Sequence, residues 1–238
     1  MLFTNNGKFL KNNGLLLSNG SGPTPPVDPY NPFNLGPGVF RIRLLNAPGD
    51  YNPNSDVGGG GQKGYWEQVD TDIWDWVPDS RGLDGDYFYN IRYSFDLMSW
   101  NISGFTDRIN YCFRNSKIEE IYYPIDFSVM NSRQTCVDMF ANSNLYHVPP
   151  PTRLPSNGEC DRMFFGCRNL MEIPEFDWNY KPSSVYQMFG YCPMVHGGIL
   201  NFYNHWNTIN NHIQCFNQCG VGTQTGSQEL AQIPNDWK

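Results

Sequence analysis

A five-residue pattern that returns five times constrains the fold of this chain more than any other feature. Each copy holds Met or Cys, then Phe, two variable residues, and Ser or Cys. The copies are Cys112–Ser116, Met139–Ser143, Met163–Cys167, Met188–Cys192 and Cys215–Cys219. Their phenylalanines are 27, 24, 25 and 27 residues apart. Such near-constant spacing is typical of repeat proteins, in which each unit buries its apolar face against the next.

A second pattern follows four of the copies: two apolar residues separated by two others, with a proline close behind. It covers 118–121, 145–148, 170–173 and 230–233, whereas the fourth copy departs from it over 195–199. The first and last positions of each five-residue copy are four apart, so they would share one face of a helical turn. The apolar pair would form a short strand that the proline ends.

The two patterns together predict an α+β repeat solenoid over residues 107–238. Each of its five units would combine one short helical turn with one short strand, and stacked units would enclose a core that no single unit can enclose. The phenylalanines would be its buried structural anchors: Phe113, Phe140, Phe164, Phe189 and Phe216.

The preceding region, residues 30–106, is predicted to be a β-rich, aromatic cap. Val39–Leu45 alternates apolar residues with arginine, which is a strand signature. Four tryptophans, three tyrosines and two phenylalanines of this stretch cluster between Trp66 and Trp100, mixed with aspartates. Because a repeat array must cover its exposed end, a capping role accounts best for these residues.

Residues 1–29 open with a small duplication and end in a Pro/Gly linker. The stretch 5–11 is partly repeated at 12–18, each time beginning with Asn-Asn-Gly, and Asn-Gly favours a tight turn. The segment is either a floppy tail or an extended anchor peptide that becomes ordered only against a partner. In the second interpretation the attachment residues are Phe9, Leu10, Leu15, Leu16 and Leu17.

The composition excludes several classes of protein. A net charge of −7 argues against a nucleic-acid partner, because phosphate contacts need clustered Lys and Arg. No apolar run approaches the roughly 20 residues that span a bilayer, so no membrane insertion is expected. Leu15–Leu17 is too short for the apolar region of a signal peptide, so an export signal is not expected either.

The candidate chemical sites are weak, and we predict no enzymatic activity, no metal and no cofactor. The seven cysteines fall at repeat positions, where small buried thiols are favoured over disulfides, and none forms a Cys-x-x-Cys pair. Asp79–Asp86 lacks the ligand spacing of a calcium loop, and Gly58–Gly61 lacks the Lys-Ser of a phosphate loop. The acids near Trp74 and Trp76 define no particular glycosidase pair, although aromatic residues here could contact glycans.

A resemblance to known families rests on these motifs. Met-Phe-x-x-Cys followed by Leu-x-x-Ile-Pro is similar to the BspA-type leucine-rich repeats of bacterial surface proteins. It also resembles repeat proteins encoded by phages that infect gut Bacteroides, including the leader before their repeats. The Asn-Gly-Lys-Phe-Leu opening resembles the N-termini of virion proteins from the same phages. The resemblance implies leucine-rich-repeat-like units and a role in surface contact.

Two functions are therefore expected. The first is a non-enzymatic structural and interaction protein of a phage virion: a head or tail fibre or a decoration protein on the virion surface. It would dock onto other virion proteins through its N-terminal peptide and present the repeat domain for adhesion, as a homo-oligomer. The alternative is an adhesin of the bacterial cell surface that binds a host protein or glycan.

Overall fold

The computed structural model describes residues 27–56, 64–78, 91–103, 109–130 and 135–238, which share one continuous hydrophobic core. Three groups of residues considered above lie outside these ranges. They are the attachment residues Phe9, Leu10, Leu15, Leu16 and Leu17, the glycines Gly58–Gly61 and the stretch Asp79–Asp86.

Five strands form one mixed sheet, in the order β2-β3-β1-β4-β5. Neighbouring strands are antiparallel except β4 and β5, which are parallel. The strand expected from the alternation of apolar residues and arginine is present as β1, and its Phe40 and Ile42 are fully buried. The bounds are β1 Phe40–Leu44, β2 Gly64–Gln68, β3 Ile73–Pro78, β4 Phe95–Trp100 and β5 Ile118–Ile121.

Strand β2 lies at the edge of the sheet, where backbone groups on its outer side could pair with another chain. The side-chain amide of Asn54 lies against this edge instead. It accepts a hydrogen bond from the Trp66 N–H at 2.7 Å and donates one to the Trp66 carbonyl at 2.9 Å. One amide side chain thus satisfies both outward backbone groups of Trp66 in the manner of a neighbouring strand.

Two α-helices are described, α1 Ile199–Trp206 and α2 Gln224–Ala231. Helix α1 follows Gly198, whose φ of 91° suits glycine, and its apolar face with Phe202 and Trp206 is buried. Helix α2 is capped by Thr223, which accepts a hydrogen bond from the Gly226 N–H at 3.1 Å. Within the described ranges, no helix has the length and apolar character needed to cross a membrane.

The prediction of a repeat solenoid, with leucine-rich-repeat-like units of one helical turn plus one strand, is wrong. In the described residues, the regular elements are a single five-stranded sheet, two α-helices and three short 3-10 helices, and none of these helices covers an anchor pattern. Of the predicted repeat strands only 118–121 forms, as β5, and it belongs to the sheet. His147 of 145–148 makes an isolated bridge with Glu120, residues 170–173 form no strand, and residues 230–231 end helix α2.

The anchors fail to become helical because each phenylalanine lies between two residues of left-handed backbone conformation. Phe140, for example, is flanked at two residues' distance by Asp138 and Asn142, with φ of 54° and 57°. A right-handed helix cannot include such residues, so each anchor forms consecutive turns instead. The flanking residues are Tyr111, Asn115, Asp138, Asn142, Arg162, Gly166, Gln187, Tyr191, Gln214 and Gln218.

The five anchors nonetheless lie directly on top of one another, and the described residues between 111 and 238 are called the turn stack below. Each anchor phenylalanine donates its N–H to a carbonyl of the next unit, for example Phe113 to Met139 and Phe140 to Met163, both at 2.8 Å. Successive phenylalanine rings are 5.4 to 5.7 Å apart and within 10° of parallel. A uniform direction of backbone hydrogen bonds therefore accompanies a continuous column of rings.

The two ends of this column are closed differently. At the first end, Phe40 of the sheet meets Phe113 edge-on, with centroids 5.5 Å apart. At the last end, Trp237 stacks on Phe216 at 6.2 Å, and its carbonyl accepts the Phe216 N–H at 2.8 Å. Trp237 thus takes the place that a further phenylalanine unit would occupy.

Candidate functional site

A groove runs across the turn stack on the side of the segments that follow the anchors. Its volume is about 570 Å³, comparable to small-ligand and peptide pockets of other proteins. All five units contribute to it. The lining residues are Glu119, Asn144, Tyr146, Asn169, Met171, Met194, His196 and Thr223.

The groove arises from local alternation in three extended segments. Leu145, Leu170 and Val195 are fully buried, so the residue on either side of each points outward, as expected for extended backbone. Stacking the segments turns these outward residues into two parallel rows. One row is Asn144, Asn169 and Met194; the other is Tyr146, Met171 and His196.

The backbone beneath the second row is already hydrogen-bonded. The N–H of Tyr146 donates to Glu119 at 2.9 Å, that of Met171 to Tyr146 at 3.1 Å, and that of His196 to Met171 at 2.8 Å. These bonds fix the spacing of the row from one unit to the next. Recognition of a ligand therefore falls to the side chains.

Two methionines give the groove its apolar surface. Met171 is 55% exposed and Met194 is 50% exposed, whereas the anchor methionines Met139, Met163 and Met188 are fully buried. Side chains of this kind are flexible and polarizable, and they adapt to varied apolar partners. Apolar side chains left in solvent along a groove are typical of an interaction site.

One end of the groove is acidic. Glu119 lines it, and the neighbouring Glu120 accepts a hydrogen bond from the Tyr146 hydroxyl at 2.8 Å. Burial and this bond raise the pKa of Tyr146 above its usual range, so the hydroxyl remains a donor. Along the same surface Glu172 lies 3.7 Å from the His196 ring.

The five predicted anchor residues do not reach this groove. Phe113, Phe140, Phe164, Phe189 and Phe216 are all at most 1% exposed, and together they form the ring column inside the core. The cysteines are likewise internal, since all seven are buried. The Sγ of Cys167 lies 3.1 Å from the Phe140 carbonyl, and burial raises the pKa of this thiol to about 11.

The tryptophans of the sheet are also core rather than an exposed glycan platform, whereas Tyr65 of β2 is 54% exposed. Trp66, Trp74 and Trp76 are at most 5% exposed. The nearby Asp75 is held by Arg41 through two hydrogen bonds of 2.6 and 2.8 Å, so its carboxylate serves the fold. No group of three or more His, Cys, Asp and Glu in the described part of the chain could hold a metal ion.

Sequence reasoning missed the groove, although a signal was present. The motif at 170–173 was interpreted as apolar, two variable residues, apolar, which gives Met171 no role. The sequence around this motif also fits an extended segment in which one apolar residue is flanked by two outward residues. Asn144, Leu145 and Tyr146 show the same arrangement in the preceding unit.

The chain matches no family model, no curated protein and no solved structure. The resemblance to BspA-type proteins and to phage repeat proteins therefore stays a prediction.

Proposed function

We propose that this chain is a non-enzymatic interaction protein that binds an external ligand in the groove of its turn stack. The observation that carries the proposal is a groove of about 570 Å³ with two half-exposed methionines among its lining residues. Exposed apolar surface costs free energy in water, and covering it with a partner recovers that free energy.

The rigidity of the support favours binding as well. Beneath the groove, the ring column and the unit-to-unit hydrogen bonds fix the positions of the lining residues. A preformed surface loses little conformational entropy when it binds a ligand. The groove thus combines adaptable side chains with a fixed backbone.

The wider role expected from the sequence, attachment to a phage particle as a homo-oligomer, stays a prediction. Weak contacts from single grooves would add up if several copies were displayed together. Deleting residues 1–26 should prevent incorporation into particles while the described residues stay folded. Normal amounts of the truncated protein in purified particles, measured by mass spectrometry, would contradict this role.

Nuclear magnetic resonance of methionine methyl groups tests the binding site directly. The protein would be labelled with ¹³C at its methionine methyl groups and titrated with a library of small organic fragments. We expect fragments to shift the signals of Met171 and Met194 before those of Met139, Met163 and Met188, which are buried.

The matched control is a second exposed apolar residue away from the groove. Met171→Glu should abolish the shifts at Met194, whereas Ile213→Glu should leave them intact, because Ile213 is 52% exposed and does not line the groove. Fragments that never perturb the groove signals, or that bind equally well to Met171→Glu, would overturn the proposal.

A further inference from the structure

We infer that the ligand of the groove is an extended peptide segment of a partner protein, with apolar side chains at alternate positions and a Lys or Arg at one end. The inference rests on the proposed function and specifies its ligand. It is carried by the length of the groove, its amide pair, its methionines and its acidic end.

The length of the groove suits a short extended chain. It crosses all five units, whose phenylalanine rings are separated by four spacings of 5.4 to 5.7 Å. An extended chain of roughly seven residues covers this distance.

Two asparagines in corresponding positions provide partners for a peptide backbone. Asn144 and Asn169 are exposed and line the groove in successive units. An asparagine amide has one acceptor oxygen and two donor hydrogens, which match the N–H and C=O of one extended residue. This protein already contains such a pair, since Asn54 both accepts from and donates to the backbone of Trp66.

The methionines determine what the peptide side chains must be. Met171 and Met194 lie in adjacent units but in opposite rows, so apolar surface is present on both sides of the groove. Side chains of an extended peptide alternate between two directions, and those directed at the groove would contact the methionines. Leu, Ile, Val or Phe at every second position therefore fits.

Charge sets the direction of the peptide. Glu119 lies at the end of the groove formed by the first unit, next to Glu120, and Glu172 adds a further carboxylate 3.7 Å from the ring of the lining residue His196. A Lys or Arg near Glu119 would be favoured there over an acidic residue. The net charge of −7 favours a cationic partner at longer range as well.

A random seven-residue peptide display library provides the test. The library is selected for binding to the full-length protein. Peptides that also bind the Met171→Glu variant are discarded. We expect the remaining peptides to carry apolar residues at alternate positions and a Lys or Arg at one end. A synthetic peptide of this kind is then tested by fluorescence anisotropy. We expect the double variant Asn144→Ala and Asn169→Ala to bind it with an affinity at least tenfold lower.

Matched variants separate the individual contributions. Asn210→Ala and Ile213→Glu, which lie outside the groove, should bind the peptide as the unmodified protein does. Glu119→Gln should weaken the binding of a peptide with a terminal lysine. It should not change the binding of the analogue with serine in that position. Circular dichroism and thermal unfolding of each variant confirm that the fold is retained.

The possible failures are distinguishable. If no groove-dependent peptide emerges while cellohexaose shifts the Met171 and Met194 signals, the groove is a glycan site: the inference falls and the proposed function stands. Groove-dependent peptides that prefer acidic ends would also overturn the inference. If neither peptides, oligosaccharide nor fragments reach the groove, both fall.

Discussion

The sheet and the turn stack bury aromatic side chains in opposite ways. In the sheet, Phe40 meets Trp66 at 89°, Trp100 at 65° and Trp76 at 23°. In the turn stack, successive anchor phenylalanine rings stay within 10° of parallel. Strands of different sequence present rings from unrelated positions, whereas equivalent positions in successive units repeat one orientation. The regular spacing of the anchor phenylalanines therefore determines the angle between their rings, even though the repeated units are not helix–strand units.

The largest test of this comparison is removal of one ring from the column. Phe164→Ala should lower the free energy of unfolding by about 3–5 kcal/mol, because it leaves a cavity between two stacked neighbours. The adjacent Phe165 is only partly buried and meets Tyr191 edge-on, so Phe165→Ala should cost about 1 kcal/mol. Urea denaturation measures both. Equal losses would show that the column is not the main support of the stack.

The ion pairs of the two regions offer a second test. Arg41 of the sheet has a side chain 5% exposed and pairs with Asp75, whose side chain is 14% exposed, so Arg41→Met should cost about 3 kcal/mol by removing the partner of a largely buried carboxylate. Arg153 of the stack is 30% exposed and joins Asp126 to Asp177, both at 3.1 Å. Arg153→Met should cost about 1–2 kcal/mol.

Salt separates these two pairs further. Raising the ionic strength should reduce the cost of Arg153→Met more than that of Arg41→Met, because exposed charges are screened more strongly. Lys181→Met, at an exposed site on the stack, is the control and should change stability by less than about 0.5 kcal/mol. A stack pair that costs more than the sheet pair would reverse the comparison.

Residues with left-handed backbone conformation distinguish the anchors from the helices. Gln218 has a φ of 56°, which glycine adopts without strain, so Gln218→Gly should stabilise the protein by about 0.5 kcal/mol. Gln228 lies within helix α2, where Gln228→Gly should destabilise by about 1 kcal/mol. Thermal unfolding compares the two glycine variants. The same sign of effect for both would contradict the turn geometry of the anchors.

The smallest effects concern pH. Burial raises the pKa of Asp138 in the stack, although Arg162 opposes the shift. The Asp138 carboxyl group therefore binds its proton more tightly in the folded protein than in the unfolded chain. Its contribution to stability is present below the unfolded pKa of about 3.9 and is lost as the pH rises through the folded pKa. Asp138→Asn should remove this decline in the free energy of unfolding.

Asp177 provides the opposite case. Burial raises its pKa, but hydrogen bonds from Arg153 and Asn179 outweigh burial, and the pKa is lowered. Its contribution is present above the unfolded pKa and is lost as the pH falls through the folded pKa. Asp177→Asn should therefore reduce stability at neutral pH and leave it unchanged well below pH 3.9. Urea denaturation at a series of pH values measures both variants, and slopes of the same sign would contradict these assignments.

Part of the fold could be predicted from the sequence. Alternation identified β1, and the spacing of the Met-Phe and Cys-Phe pairs identified the anchor phenylalanines, which all lie in the core. The helical turn was wrong because a four-residue spacing fits a helix and two consecutive turns equally well. Asn and Gly mark the left-handed sites at Asn115, Asn142 and Gly166, but Tyr191 and Gln218 occupy the same conformation without any such signal.

The candidate site was less accessible to sequence reasoning. Its rows consist of residues far apart in sequence, brought side by side only when the units stack. The exposure of Met171 and Met194 depends on which face of each extended segment points inward. Methionine occurs both in cores and on surfaces, so the identity of these two residues does not indicate whether they point inward or outward.

The uniform direction of the anchor hydrogen bonds gives the molecule an electric axis. On the anchor side, the N–H groups of Phe113, Phe140, Phe164 and Phe189 all point toward the last unit. Bonds on the groove side run both ways, since Tyr146 donates to Glu119 whereas Ile121 donates to His147. Aligned peptide dipoles sum, as they do in a helix, so partial positive charge accumulates beside Trp237. Asp236 lies at that pole, and its backbone carbonyl accepts the Gln214 N–H at 2.8 Å. The exposed Asp236 carboxylate therefore lies where the backbone dipoles favour a negative charge, as an acidic residue does in the first turn of a helix.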